Sequence, residues 1–151
     1  MALSAAVELR KRSDVTQSFI ITNTAVVYVG GFCSIDSVGC VARAADTSSF
    51  VPVGFCIGFE DATAEGSKTG DTSASIPPEA IIDIGGGIVS GLAVTGASAQ
   101  TDVRDLVYAT SDNVFTTSAT SNVPAVGMIV RFNTATSFDV LFFGADAMAL
   151  A

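Results

Sequence analysis

Histidine is missing from all 151 residues, and so is tryptophan. Without histidine there is no Ser-His-Asp or Cys-His nucleophile, no imidazole metal ligand and no side chain that ordinarily titrates near neutrality. Most hydrolytic mechanisms go with it, and the chain reads as a structural or binding protein, not an enzyme. Aromatic platforms for single-stranded nucleic acid or sugars are not expected either. Tyrosine occurs twice, and the ten phenylalanines sit inside apolar runs, where they read as core.

Charge is scarce as well. Charged residues make up 15% of the chain, against about 25% in an ordinary domain. The net charge is −8, and three of the seven basic residues, Arg10, Lys11 and Arg12, form one run. From residue 13 onward four basic residues face fourteen acidic ones. A body of that sign repels phosphate backbones, so no nucleic acid is expected as a partner. The basic run reads either as a solvated arm or as an electrostatic contact with an acidic partner surface.

Cysteine is limited to Cys33, Cys40 and Cys56, with no spacing that suits zinc and an odd thiol left over by any pairing. These are expected to be small core hydrophobes in a reducing compartment, with a Cys33–Cys40 bridge across a hairpin as the alternative. Long apolar spans are lacking too. The best stretch, residues 19–33, is interrupted by Thr22, Asn23 and Thr24, and the N-terminal MALSAAVELRKR places its basic residues after its short apolar part. The expectation is no membrane span, no export signal and synthesis in the cytoplasm.

What the chain does have is apolar surface, with 49% hydrophobic residues and a mean hydropathy of +0.55. That excludes disorder and suggests burial against other subunits. The apolar residues fall in short runs rich in Val, Ile, Phe and Thr, separated by Gly, Asn, Asp, Ser and Pro, which is an all-β pattern. Strands are predicted at 19–22, 25–29, 32–35, 40–43, 53–59, 80–84, 88–94, 106–109, 114–117, 126–132 and 138–143. Turn-forming clusters at 36–39, 110–113 and 133–137 mark three hairpins. In the last strand both faces carry large apolar groups, so it is expected to be covered on both sides. An Ala-rich stretch at 2–10, which could equally be an extended arm, and a single turn at 101–105 are the helical candidates. The architecture expected is a small β-barrel or β-sandwich of short antiparallel strands, with an N-terminal arm over residues 1–18 and one β-rich domain over residues 19–151.

Three features invite a chemical reading. Gly85-Gly86-Gly87 is followed by the β-like IVSGLAV and by no GK[ST], so a bend or bulge between strands is preferred over a phosphate loop. Gly54 and Gly58 read as points of strand curvature or close packing. Glu60, Asp61 and Glu65 open a polar Gly/Ser/Thr-rich surface loop at 61–78, the most mobile region expected, and read as a solvated acidic turn in preference to an acid/base or calcium site. No cofactor, metal or catalytic residue is expected.

Two segments resemble a known family. The stretch YVGGFCSIDSVGCVARAADTSSFVPVGFCIGFEDA at 28–62, and DVRDLVYATSDNVF at 102–115 followed by VGMIV at 126–130 and a closing strand, resemble the layout of the small capsid decoration (cement) proteins of tailed bacteriophages. With the residues between the parts of the second segment, the likeness spans about half of the chain. It departs from the family in the longer acidic loop with Pro77-Pro78 and in the cysteines. The resemblance implies a structural virion protein on the capsid exterior that binds the major capsid protein and stabilises the phage head, commonly as a homotrimer, with an N-terminal segment reaching onto the shell. On this reading Arg10, Lys11, Arg12, Phe19, Ile20 and Ile21 are the expected capsid contacts. A tail-tube, baseplate or fibre-base component of a virion, or a non-viral β-sandwich binding module, would use the same properties.

Overall fold

A computed structural model describes residues 15–61 and 66–145. Twelve strands follow one another: β1 Thr16–Ile20, β2 Val26–Tyr28, β3 Phe32–Ile35, β4 Val41–Arg43, β5 Val51–Phe59, β6 Ser67–Thr69, β7 Glu79–Asp83, β8 Gly87–Leu92, β9 Leu106–Ala109, β10 Phe115–Thr116, β11 Gly127–Thr134 and β12 Ser137–Phe142. A 3-10 turn, Gln100–Asp102, lies where the single turn is predicted. The Asp102 carboxylate fastens it by accepting from the backbone amides of Ser98 and Ala99, at 2.7 and 2.8 Å.

The strands form two five-stranded antiparallel sheets, ordered β1-β7-β5-β3-β4 and β10-β9-β11-β12-β8, and a small ribbon of β2 with β6. The architecture is a β-sandwich, not a closed barrel. Both large sheets nevertheless curl far. Ile21, just past β1, forms a parallel bridge with Val41 on the opposite edge strand, and Thr95, just past β8, does the same with Thr116 on β10. Each bridge ties one end of two edge strands that would otherwise be left open to pairing.

Alternation along the strands explains why there are two cores. Successive side chains point to opposite faces, so Phe32 and Cys33, neighbours on β3, enter different clusters, as do Phe55 and Cys56 on β5. The inner face of the first sheet encloses Ile21, Val27, Cys33, Val41, Cys56 and Ile82. Its other face meets the second sheet through four phenylalanines: Phe32 and Phe55 from the first, Phe115 and Phe142 from the second. All six pairs among these rings have centroids between 4.8 and 6.3 Å apart, mostly edge to face. That geometry suits the aromatic quadrupole.

Each of the eleven predicted runs overlaps an observed strand, the first by only two residues, and the three predicted hairpins form. Three differences carry physical reasons. β6 lies inside the expected mobile loop, because its three polar residues take their order from pairing with β2. β1 begins at Thr16, so the last residues assigned to the arm belong to the first sheet, held by β7. Along β12, Phe138, Val140 and Phe142 are buried while Asp139 and Leu141 are half-buried, so its second face is only partly covered. The 2–10 stretch lies outside the described residues. At the glycine run, Gly86 turns the corner between β7 and β8 with φ +75°, and a Cβ there would lie 2.5 Å from the Phe142 carbonyl oxygen.

Candidate docking site

The outward face of β1, β7 and β5 can be built residue by residue from the strand register. Thr16, Ser18 and Ile20 of β1 pair with Asp83, Ile81 and Glu79 of β7, and all six share a face. Phe55 pairs with Asp83 on the same side. The second sheet covers the Phe55 and Asp83 end, where Phe142, Phe143 and Ile88 close a cavity of about 100 Å³. It does not cover the other end. There Ile20 is 37% exposed and Ile57, the extra residue at the bulge between Cys56 and Gly58, is 52% exposed, with half-buried Ile81 between them.

Two carboxylates border this isoleucine face. Glu79 sits opposite Ile20, and Glu60 accepts a hydrogen bond from the Ser18 hydroxyl. Neither forms an ion pair among the described residues, whereas Asp61 is paired with Lys68 at 2.7 Å. The result is an apolar patch with unneutralised acidic groups at its rim, suited to a partner surface that offers apolar and basic groups.

The expected contact residues divide accordingly. Arg10, Lys11 and Arg12 lie outside the described residues. Ile20 is on the exposed face. Phe19 points the other way and packs against the inner core, and Ile21 is 0% exposed. Ile21 thus packs in the interior of the chain, because the alternation in β1 is continued by its bridge to Val41. Sequence reasoning missed Ile57 and Ile81, because within apolar runs they are indistinguishable from core residues. The bulge at Ile57, which a run with two glycines hints at, turns it outward.

The remaining chemical candidates stay apart. Glu60 and Asp61 engage Ser18 and Lys68, and Glu65 is outside the described residues. Among the described residues no group of three or more Cys, Asp or Glu side chains could hold a metal ion, and no helix is long and apolar enough to cross a membrane. The three cysteines are free. Cys33 pairs with Arg43 on β4, and Cys40, three residues earlier and just before that strand, is out of bridging register. Burial, with smaller effects from Cys56 and Asp112, pushes the Cys33 thiol up to about 12, and burial also raises Cys56. Partial burial and the Asp36 carboxylate raise Cys40 too, but it alone is half-exposed, so native protein should show one accessible thiol, Cys40, and three in denaturant. Rapid native labelling that survives Cys40→Ser would contradict this arrangement.

No protein-family model matches the chain, and neither a curated protein nor a solved structure matches it.

Proposed function

We propose that this chain is a structural virion protein that binds the outer surface of a tailed-bacteriophage capsid lattice and stabilises the head, without catalysing a reaction. The observation that carries this reading is the face formed by exposed Ile20 and Ile57 with half-buried Ile81 between them, which starts on β1, the strand that follows the N-terminal segment in the chain. A cement protein needs rigid β-structure and apolar surface to bury between subunits. Here the apolar face and the basic Arg10–Lys11–Arg12 run would act together, the face by burial and the arm by charge. Specific interfaces bury about 1,200–2,000 Å² in total, more than three isoleucines provide, so the arm and further subunit contacts share the load. Homo-oligomerisation, with a trimer favoured, belongs to the same proposal: repeated engagement around a symmetry axis adds avidity.

The test is to mix purified protein with undecorated shells and image them by electron microscopy. Added density at fixed lattice positions is expected. Removing residues 1–14, which spares β1, should abolish occupancy. Pairing Ile20→Asp with Ile57→Asp should lower it at least about tenfold, by desolvating charge against apolar partner groups, while the melting temperature stays close to that of the parent. Absence of density with the parent protein would overturn the proposal.

A further inference from the structure

A second surface, on another part of the molecule, has different chemistry. Two adjoining hollows of about 450 and 610 Å³ share Arg43, Ser111 and Asp112, and together form an open groove. One wall is β2 and the residues after it, the second is the end of β4, and the third is the β9–β10 turn. The first wall is tied to the third where the Phe32 amide donates to the Asp112 carbonyl at 2.8 Å, and to the rest of the sandwich where the Gly30 amide donates to the Cys56 carbonyl at 2.8 Å and the Val29 amide to the Gly66 carbonyl at 2.9 Å. Their volumes fall within the range of about 300–1,000 Å³ usual for ligand pockets.

The lining combines three recognition elements. Tyr28 is 46% exposed, so part of its ring can contact a ligand, whereas the phenylalanines of the core cannot. Arg43 places its guanidinium carbon 6.0 Å from the centre of that ring, and it forms no ion pair among the described residues. Beside them the Ser111 hydroxyl lies 3.1 Å from Asp112 Oδ1 and 3.2 Å from Asn113 Oδ1, and Thr24 supplies a further hydroxyl at the far end.

The geometry points to a binding site for an acidic saccharide, one carrying a uronic-acid type of carboxylate. An aromatic ring covers the C–H face of a sugar. A carboxylate, an amide and hydroxyls supply the mixed donors and acceptors that sugar hydroxyls need. One guanidinium without an ion pair among the described residues matches one carboxylate in a two-pronged hydrogen-bonded pair. The same inventory argues against other ligands. A polyphosphate has no C–H face for the Tyr28 ring to cover, and an apolar ligand would leave Arg43, Asp112 and Asn113 without partners on the ligand. The sequence raised no expectation of an aromatic platform for sugars; exposed Tyr28 in this groove would be one.

Titration of the full chain with trigalacturonate, followed by calorimetry or by amide chemical shifts, tests the site without any capsid, so its outcome is independent of the proposed virion role. Trigalacturonate should bind and the neutral maltotriose should bind at least about tenfold more weakly, as should trigalacturonate to Arg43→Ala, because a hydrogen-bonded charge is lost. Tyr28→Ala should weaken it comparably, and Arg43→Lys should retain part of the affinity. Both side chains are exposed, so thermal melts of these variants should match the parent. No binding at millimolar trigalacturonate, equal binding of maltotriose, or unchanged affinity in Arg43→Ala would each overturn the assignment.

Discussion

Phe32→Ala is expected to lower the melting temperature by roughly 10 °C. Truncating a buried phenylalanine costs about 3–5 kcal/mol, and at this chain length each kcal/mol shifts the midpoint by about 2–4 °C. The upper part of that range applies because Phe32 is fully buried and touches three other rings, Phe55, Phe115 and Phe142. Two of those rings come from the other sheet, so the cavity opens at the joint of the sandwich. Combining Phe32→Ala with Phe142→Ala gives a sharper readout. Neighbours that share a cavity are expected to be non-additive by about 0.5 kcal/mol or more. Strict additivity in a chemical-denaturation cycle would show that the four rings do not act as one unit.

Gly54→Ala should be more damaging still. A Cβ at this position would lie 1.9 Å from the Asp83 carbonyl oxygen and 2.9 Å from its carbonyl carbon, and the glycine has φ +151°. The obstacle is backbone, which cannot rotate away as a side chain would. β5 and β7 would have to separate where Phe55 pairs with Asp83, at the edge of the phenylalanine cluster. A loss of at least about 3 kcal/mol is expected, seen as insoluble protein or a sharply lowered melt. Gly58, four residues along the same strand, has nothing within 4 Å of the equivalent position. Gly58→Ala should therefore cost under about 1 kcal/mol. Equal effects of the two substitutions would contradict the close approach of β5 to β7.

The contrast between these glycines shows how far the sequence could be read. Both were legible as places of curvature or close packing in VPVGFCIGFE, but which one meets another strand depends on what lies across from it. The hairpin turns were more accessible because their chemistry is local. In the first, the Asp36 carboxylate accepts from the amides of Val38 and Cys40, both at 2.9 Å. Although burial opposes it, these bonds and one from Thr22 hold the Asp36 pKa below its ordinary value. β6 was hidden for the opposite reason, since Ser67-Lys68-Thr69 has no apolar alternation and becomes a strand only through β2.

The candidate docking face was half legible. Ile20 was identified from its place beside the basic run, while its neighbours Phe19 and Ile21 turn inward. Ile57 and Ile81 could not be told from core residues in the sequence, because each lies inside an apolar run. Arg43 and Asp112, sixty-nine positions apart in the chain, could not have been joined without the fold.

By itself the sequence determined that the molecule is all-β, where most strands and turns fall, and that no histidine chemistry operates in it. Those properties follow from composition, from period-two patterning and from short-range turn preferences, all of which act within a few residues. Only the tertiary structure decided which isoleucines remain in solvent, which glycines face a backbone carbonyl, and that one tyrosine and one arginine share an open groove. Exposure and proximity are set by which strand packs over which, and that depends on the pairing of segments distant in the chain.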